Sequence, residues 1–330
     1  MPVLGVVGSM VWDTIRLAGQ RPGDAVHGWG GIAHSLAAVD AALPGGWTAL
    51  PIIKVGEDLR ARADDFFRGL TRLESIAAVA TVPEPNNRVE LVYYDRGNRR
   101  ETLTGGVSGF EADEALDAAR GCDALYVNFI SGWELDLAAA SVLKSAVGGL
   151  VYSDLHSLLL GVEPGGGRVM RPVPRPRAWM RCFDVVQMNE SELATLAHDR
   201  SDPWKFAQET AGGGTAAVIV TRGESGATWF SSGRLAEGNE NGGRGVPGPV
   251  TTGSVGADLG SGGSRYGRGR GPEELDPTGC GDVWGATCCA RLLAGESLES
   301  AAKAAARASG IAARVRGTRG LRAALEHEAR

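Results

Sequence analysis

The stretch DPTGCGDVWGAT, residues 276–287, places two acids and two closely spaced glycines directly before an alanine-rich helical run. Gly279 and Gly281 permit unusual backbone angles and close approach of another group. With a helix expected from about Asp282, the amides of Gly279–Asp282 would point ahead of a helix N-terminus, an arrangement that binds phosphate or a developing oxyanion. Asp282 would there take a proton from an attacking hydroxyl. A glycine turn with an aspartate N-cap is the simpler alternative.

Cys280 lies inside this stretch, and its side chain is small enough to occupy a tight turn. A thiol at a helix N-terminus is expected to have a lowered pKa. The sequence therefore predicts a thiol that reacts with alkylating agents and takes no part in catalysis.

Short apolar runs that end in a glycine or polar residue predict six buried strands, which alternate with helical patterns. The predicted strands are 3–9, 48–56, 124–131, 149–155, 184–189 and 216–223. The predicted helices are 33–42, 57–72, 111–119, 135–147, 190–197, 205–212 and 282–294. This alternation indicates an α/β fold with a mainly parallel sheet covered on both faces. Ligands of such sheets bind at the carboxyl ends of the strands.

Two segments depart from this alternation and predict a small β lid beside the main sheet. Residues 86–106 alternate with period two around a turn at 95–98, as in an antiparallel hairpin. Residues 14–30 would supply a second strand pair. The basic cluster Arg96, Arg99 and Arg100 is interpreted as a solvated face of this lid, which spans about 14–30 and 85–106.

Residues 231–275 contain 14 glycines and few bulky apolar groups. Such a composition buries too little apolar surface to offset the entropy of ordering. We interpret this segment as a long, mostly irregular insertion in a single domain that spans 1–330. A surface loop is the simpler interpretation, and a cover over a bound nucleotide is the alternative.

Composition argues against several other classes of protein. The net charge of -5 gives no general attraction to nucleic acid or to anionic membranes. No apolar run is long enough for a transmembrane helix, and the N-terminus lacks the pattern of a signal peptide. The five cysteines are odd in number and form no CxxC pair. These features favour a reduced, cytoplasmic enzyme.

The 276–285 stretch resembles the D-T-x-G-A-G-D-x-F-x-G/A signature of the PfkB carbohydrate kinase family, the ribokinase-like sugar and nucleoside kinases. Further segments resemble other motifs of that family, in the same order along the chain, so that the resemblance covers roughly residues 3–320. They are the first strand with Asp13, a diglycine motif at Gly30 and Gly31 with its helix, a VGxDxxG-like segment at 55–61, an N-x-x-E motif at Asn189 and Glu192, and a T-x-G-x-x-G strand-turn at Thr221, Gly223 and Gly226.

This resemblance implies a three-layer α/β/α sandwich with a β lid, and transfer of the γ-phosphoryl group of ATP to a hydroxymethyl group of a small sugar. Asp282 would be the general base, and the amides of Gly279, Cys280, Gly281 and Asp282 would form the anion hole. Phosphoryl transfer depends mainly on positioning and charge stabilisation, which this layout supplies.

The resemblance also assigns binding roles. ATP would contact Asn189, Thr221, Gly223 and Gly226, with Mg²⁺ held through water by Glu192. The substrate would contact Asp13, Gly30, Gly31, Ser35 and Asn128, and K⁺ would bind near Asp276 and Thr278. The lid of such enzymes often pairs between subunits, which implies a homodimer.

The chain also departs from the family pattern. Ser35 replaces an asparagine, Ile32 a lysine and Cys280 an alanine. These departures argue against ribose as the substrate. A nucleoside is the alternative acceptor, and a sugar- or nucleoside-binding sensor without activity is the alternative of another class, although a sensor has no need of Asp282. A nicotinamide-dependent dehydrogenase is disfavoured, because no GxGxxG follows the first strand.

Overall fold

A computed structural model of the chain describes residues 1–94, 99–233, 235, 248–258 and 276–328. Within these residues the strands are β1 Val3–Val7, β2 Met10–Leu17, β3 Val26–Gly31, β4 Thr48–Gly56, β5 Val79–Val82, β6 Arg88–Tyr93, β7 Arg99–Thr104, β8 Ala124–Asn128, β9 Val151–Asp154, β10 Leu160–Val162, β11 Arg168–Met170, β12 Val185–Asn189, β13 Ala217–Thr221, β14 Ala227–Ser231 and β15 Thr251–Val255. The α-helices are α1 Ile32–Ala42, α2 Arg60–Arg68, α3 Ala112–Ala118, α4 Leu137–Ala146, α5 Pro176–Arg181, α6 Glu190–Leu196, α7 Pro203–Gly212, α8 Cys280–Leu293, α9 Leu298–Ala312 and α10 Leu321–Glu328.

Nine strands form the central sheet, in the order β15-β14-β13-β12-β9-β8-β1-β4-β5. The seven strands from β13 to β5 are parallel, and the antiparallel β14 and β15 complete one edge. The six strands predicted from apolar runs all lie in the parallel part. The carboxyl ends of those strands therefore meet along one edge, as predicted.

Helices cover both faces of this sheet, which gives three layers. Successive residues of β8 point to opposite faces: Tyr126 joins an apolar cluster with α1, α8, α9 and α10, whereas Leu125 and Val127 join a second cluster with helices α3 to α7. Strands that are apolar on both sides are the expected consequence of a sheet buried between two helical layers. The architecture is the predicted α/β/α sandwich.

A separate four-stranded sheet, in the order β3-β2-β6-β7, forms the lid. Strand β2 pairs antiparallel with β3 and parallel with β6, and β6 pairs antiparallel with β7. Both predicted strand pairs are confirmed, although β2 begins at Met10, so that Asp13 lies within a lid strand. The predicted turn at 95–98 lies outside the described residues.

Three differences from the sequence prediction have local causes. The helix predicted for 57–72 begins as a 3₁₀ turn over Glu57–Leu59 and ends at Arg68, where Gly69 follows. The predicted irregular insertion at 231–275 contains strand β15, which pairs with β14 across the register Trp229↔Gly253. A short hairpin of β10 and β11 was not predicted at all.

Among the residues that the structure describes, no helix is both long and apolar enough to cross a membrane. All five cysteines have free thiols.

Candidate active site

Helix α8 begins at the glycine-rich stretch, on a backbone that only glycine adopts readily. Gly279 is the N-cap residue with φ of 79°. A Cβ on Gly279 would lie 2.5 Å from the ring of His34, which packs directly beneath it. Gly279 is therefore required both for the left-handed backbone and for the closeness of α1.

The amides in this first turn are only partly free. The Val283 amide donates to the Gly279 carbonyl, as the helix requires. The Cys280 amide donates to the carbonyl of Pro277 over 3.2 Å. This amide therefore closes the turn, whereas the sequence predicted that it would bind an anion. The amides of Gly279, Gly281 and Asp282 precede the first intrahelical bond and stay available to an anion.

Asp282 lies in this first turn and is held from the side. Its Oδ1 accepts a hydrogen bond of 2.8 Å from Nδ2 of Asn128. Burial raises the pKa of Asp282, and the rise is opposed by His34, His156, the Asn128 hydrogen bond and Arg99. Because burial lowers the pKa of His34 itself, the opposing positive charge near neutral pH comes from His156 and Arg99. Such a carboxylate is a stronger base than an exposed one.

Ser35 and Asn128, both predicted as substrate ligands, lie fully buried beneath Asp282. Asn128 Nδ2 also reaches Oγ of Ser35 over 3.1 Å, and that oxygen lies 3.4 Å from the carbonyl of Asp282. Their polar atoms contact the carboxylate and the backbone of Asp282. The two residues therefore hold Asp282 in place, and their predicted contact with a substrate stays a prediction.

A buried polar network supports the first turn of α8 from below, and sequence reasoning did not find it. Gln187 Nε2 donates to the carbonyl of Gly281 and to Asp154, and its Oε1 accepts from Tyr152. Tyr126 Oη lies 3.4 Å from the carbonyl of Asp282. The sequence signal that could have revealed this network is a polar residue such as Gln187 inside an apolar strand. A buried polar group needs hydrogen-bond partners nearby.

Strand register explains why these groups meet. Asn128 at the end of β8 pairs with Asp154 at the end of β9, and Asn189 of β12 pairs with Thr221 of β13. The ends of four neighbouring parallel strands thus supply polar side chains to one edge. This edge is where α/β sheets bind ligands.

The predicted N-x-x-E motif is a capping box at the start of α6. Asn189 Oδ1 accepts from the Glu192 amide, and Glu192 Oε2 accepts from the Asn189 amide. The other carboxylate oxygen of Glu192 lies 3.0 Å from Nδ1 of His156. Burial lowers the pKa of His156, but Glu192, Asp154 and Asp282 outweigh it and raise the value to about 9.

The residues predicted to bind the nucleotide lie further along the same edge. Thr221 ends β13, and Gly223 has open space above its Cα. A Cβ on Gly226 would lie 1.9 Å from the carbonyl of Val255, because the end of β15 passes over it. The structure thus brings Thr221, Gly223 and Gly226 to one surface, bordered by the described part of the insertion.

The predicted acceptor residues lie between the lid and the main sheet. A Cβ on Gly30 would lie 1.8 Å from Oδ2 of Asp13, so the glycine leaves room for that carboxylate. Gly31 lies against Ile130, and Trp12 and Trp29 meet edge to face at 5.1 Å beside them. Burial raises the pKa of Asp13, and the charges of Glu101 and Asp282 add to the rise.

The lid also contacts the loop that precedes α8. Oδ1 of Asp276 accepts from the Thr278 amide, which folds the loop on itself. Oγ1 of Thr278 lies 3.0 Å from Oη of Tyr93 on β6. The two residues predicted to bind K⁺ are thus adjacent, and one of them is bonded to the lid.

The expected low pKa of Cys280 is wrong. Burial raises the pKa of this thiol to about 11, because the side chain is enclosed between helices. Its Sγ contacts the carbonyls of Asp276 and Ser309 at 3.7 and 3.6 Å. Desolvation disfavours the thiolate more than the helix N-terminus favours it.

Mg²⁺ is the metal that the resemblance implies for this edge of the sheet. Within the described ranges no three His, Cys, Asp or Glu side chains cluster closely enough to hold an ion. Mg²⁺ keeps several waters and is often bound by one or two carboxylates and by phosphate oxygens. Glu192 and Asp154 at the strand ends are nearly fully buried, and both oxygens of Glu192 already have partners, so these carboxylates could hold Mg²⁺ only through water.

Comparison with known proteins finds similarity in structure alone: no protein-family profile and no curated protein matches the chain. Ribokinase from Thermotoga maritima is similar with a TM-score of 0.69 and 16% identity, covering 99% of both chains. A nucleoside kinase from Burkholderia thailandensis in complex with inosine gives a TM-score of 0.66 and 16% identity, covering 99% of this chain and 96% of that one. A pyrophosphate-dependent kinase in the ribokinase family gives 0.71 and 17%, covering 96% of both. The chain therefore has the ribokinase-like fold.

Proposed function

We propose that the protein is a kinase that transfers the γ-phosphoryl group of ATP to a hydroxymethyl group of a small sugar or sugar-like substrate. The observation that supports this most is the position of Asp282: it lies beside the free amides of the first turn of α8 and is oriented by Asn128. A base and an anion-binding turn at one point suit a hydroxyl that attacks a phosphorus atom.

In this proposal Asp282 accepts the proton of the acceptor hydroxyl on Oδ2, because Oδ1 is held by Asn128. The amides of Gly279, Gly281 and Asp282 hold the negative charge that develops. Asp13 binds other hydroxyl groups of the acceptor and so orients the attacking hydroxyl. Correct orientation of the reactants supplies a large part of the rate enhancement.

On the donor side, Asn189, Thr221, Gly223 and Gly226 would contact ATP at the strand ends. Glu192 would hold Mg²⁺ through water, and bound Mg²⁺ neutralises charge on the phosphates. K⁺ near Asp276 and Thr278 is part of the proposal, and replacing K⁺ by Na⁺ in the assay tests it.

The acceptor class has two candidates, a sugar first and a nucleoside second. Kinases with both kinds of acceptor are among the similar structures, and one of those structures contains inosine. Gly30 leaves room for the buried carboxylate of Asp13, and a carboxylate that binds hydroxyl groups suits either acceptor. A sensor without activity would keep these contacts but would gain nothing from Asp282.

The deciding experiment is phosphoryl transfer over a panel of sugars, polyols and nucleosides, with ATP and pyrophosphate as donors. Pyrophosphate is included because a pyrophosphate-dependent kinase is among the similar structures. We expect ATP consumption with at least one acceptor. Binding of an acceptor without consumption of either donor would favour the sensor.

Asp282→Asn tests the base within the same assay. Its turnover should fall on the order of 10²–10⁴-fold, because acid–base catalysis is lost, while ATP affinity changes little. Unchanged turnover would refute the role of Asp282.

The proposal includes a homodimer that forms through the lid and a reducing, cytoplasmic environment, which suits the free thiols. Val26 and Tyr94 at the lid are exposed apolar side chains that a partner would cover. Light scattering after size exclusion measures the mass, and Val26→Asp should shift a dimer to the monomer.

A further inference from the structure

The side chain of Arg168, at the start of strand β11, is buried although only part of it is hydrogen-bonded. The side chain is 1% exposed, and its Nη1 donates to the carbonyl of Ser131 over 2.8 Å. Within the part of the chain that the structure describes, Nε and Nη2 of Arg168 are buried without a hydrogen-bond partner. A buried donor without a partner is costly, and such donors are rare in folded proteins.

The hairpin of β10 and β11 brings this arginine to the edge of the lid. The Leu103 amide of β7 donates to the carbonyl of Gly166 over 2.8 Å, and Thr102 of β7 forms a bridge with Gly167. A Cβ on Gly166 would lie 2.6 Å from the carbonyl of Leu103, so this glycine is required for the contact. The hairpin therefore closes the β7 side of the lid, and Arg168 comes directly after the contact.

Glu101 of β7 is the charged group nearest to the unpaired edge of Arg168. Its Oε1 lies 3.8 Å from Nε of Arg168, and its Oε2 lies 3.6 Å from Nη2 of Arg99. Both distances are longer than a hydrogen bond. Glu101 and Leu103 share one face of β7, because side chains alternate along a strand, and Leu103 is buried in the core. Glu101 therefore points into the space between the lid and the main sheet.

Strand register puts Glu101 on the same face of the lid as Asp13, the proposed acceptor ligand. Asp13 pairs with Val89, and Val89 pairs with Leu103. Residues that are paired across neighbouring strands have their side chains on one face. In agreement, burial raises the pKa of Asp13 most, and the charge of Glu101 raises it next most. The proposed acceptor space is thus bordered by Asp13 on β2 and, across the lid, by Glu101 and Arg168.

The chemistry of this border favours a neutral hydroxylated ligand. Nε and Nη2 of Arg168 lie on one side of the planar guanidinium and can donate to two oxygen atoms at once. A hydroxyl group can accept from the arginine and donate to the carboxylate of Glu101 at the same time. An anionic group would also accept from Arg168, but Glu101 and Asp13 would repel it.

We propose that Arg168 and Glu101 bind two neighbouring hydroxyl groups of an uncharged acceptor, on the side of the acceptor space opposite Asp13. This inference rests on the proposed kinase function and narrows its acceptor to a neutral polyhydroxylated molecule. The unpaired donors of Arg168 are already desolvated in the free protein, so each hydrogen bond to the acceptor contributes strongly to affinity. Because these atoms are shielded from solvent, the acceptor reaches them when β7 moves away and then closes over it.

Two other roles of Arg168 would give different measurements. If Arg168 only fastened the hairpin to Ser131 and the lid, its loss would lower stability and weaken all acceptors alike. If it bound an anionic group, a sugar acid would bind more tightly than the corresponding neutral sugar. Binding of two hydroxyl groups instead predicts discrimination against analogues that lack either of them.

The test measures acceptor affinity by titration calorimetry and acceptor kcat/KM by steady-state kinetics. The ligands are the best neutral acceptor of the wild type, its analogues that each lack one hydroxyl group, and the corresponding sugar acid. The variants are Arg168→Met and Arg168→Lys. Arg171→Met is the matched control, because Arg171 is the exposed arginine that follows β11.

Wild type and Arg171→Met should bind two of the analogues, with adjacent hydroxyl groups missing, on the order of 10–100-fold more weakly than the parent acceptor. Arg168→Met should bind the parent acceptor more weakly by a similar factor and should lose most of this discrimination. Arg168→Lys should recover part of it for at most one of the two hydroxyl groups, because an ammonium group lacks the planar pair of donors.

Three results would overturn the inference. The first is discrimination in Arg168→Met that equals that of the control, which would leave Arg168 a structural role. The second is tighter binding of the sugar acid than of the neutral acceptor. The third is a wild type that binds no neutral sugar, polyol or nucleoside. Melting temperatures show which variants fold, and Arg168→Gln carries the same comparison if Arg168→Met does not fold.

The two proposals can fail separately, because calorimetry needs no turnover. A wild type that binds a neutral acceptor but phosphorylates none refutes the kinase function, and its Arg168 variants still decide the role of Arg168 in binding. An active wild type whose Arg168 variants match the control keeps the kinase function and removes only this inference.

Discussion

Asn128 and Asp282 are joined by a hydrogen bond of 2.8 Å between Nδ2 and Oδ1, although they come from β8 and from the first turn of α8. Asn128 is fully buried, and its amide is fixed in turn by Ser35. The contact occupies Oδ1 and leaves Oδ2 of Asp282 for the proposed acceptor. It also favours the ionised form of the carboxyl, because a donor stabilises the charge.

Asn128→Leu should therefore raise the pKa of Asp282 further, since burial then acts with one less opposing contact. A general base works only when it is ionised, so the acid limb of the kcat/KM profile should move to higher pH. Turnover should fall at low pH and recover as the pH rises. The pH profile of wild type and variant measures this, and an unmoved acid limb would contradict it.

Gly279→Ala should damage both stability and turnover. Its φ of 79° is strained for alanine, and the new Cβ would lie 2.5 Å from the His34 ring. Strain of this kind costs about 1–3 kcal/mol, before any shift of the His34 ring. Urea unfolding measures the loss. Gly281→Ala is the matched control for stability, because it has open space and should unfold within about 0.5 kcal/mol of wild type.

His156 should make a pH-dependent contribution to stability. Glu192 and Asp154 raise its pKa in the folded protein to about 9, above the ordinary value of 6.5. The folded state thus binds the proton more tightly, and the stabilisation is complete below pH 6.5 and lost as the pH rises through about 9.

The measurement is the difference in unfolding free energy between wild type and His156→Gln, without Mg²⁺ or nucleotide. This difference should shrink between pH 6.5 and 9.5. The imidazole is 34% exposed, so solvent screens part of the effect. A difference that stays constant over this range would show that the pKa is not raised.

Cys280 should resist alkylation in the folded protein. Its pKa of about 11 leaves almost no thiolate at pH 8, and the thiolate is the nucleophile. Mass spectrometry after treatment with iodoacetamide should show much slower modification of Cys280 in the native chain than in the urea-unfolded chain. Equal rates in the two states would mean that the thiol is neither shielded nor perturbed.

The fold and the place of Asp282 at the start of a helix could be predicted from sequence because their signals are local. Apolar runs of six to nine residues identified six of the seven parallel strands, and Thr48–Gly56 was predicted to the residue. Two glycines and an acid before an apolar run predicted that Asp282 lies at a helix N-terminus, and it lies in the first turn of α8. In each case neighbouring residues carry the information, since strand burial and helix N-termini depend on short stretches.

What could not be predicted depends on distant partners. The contact between Tyr93 of the lid and Thr278 joins residues that are far apart in the sequence. The position of Cys280 at a helix N-terminus predicted a lowered pKa, but burial against α9 raises the pKa of this thiol. Gln187 and Tyr126 carry no motif, and their role is visible only once β8 and β12 lie beneath α8. Strand β15 was not predicted, because it lies in a glycine-rich segment that has few apolar residues.

Helix α1, which carries His34 and Ser35 beneath the first turn of α8, packs against α8 and α10. Asp40 of α1 forms an ion pair with Arg322 of α10, and Arg322 also bonds Thr71. Elements made early in synthesis thus depend on elements made much later. A nascent chain on the ribosome cannot bury the apolar face of α1 until α8 to α10 have been synthesised. We therefore expect slow refolding and dependence on chaperones.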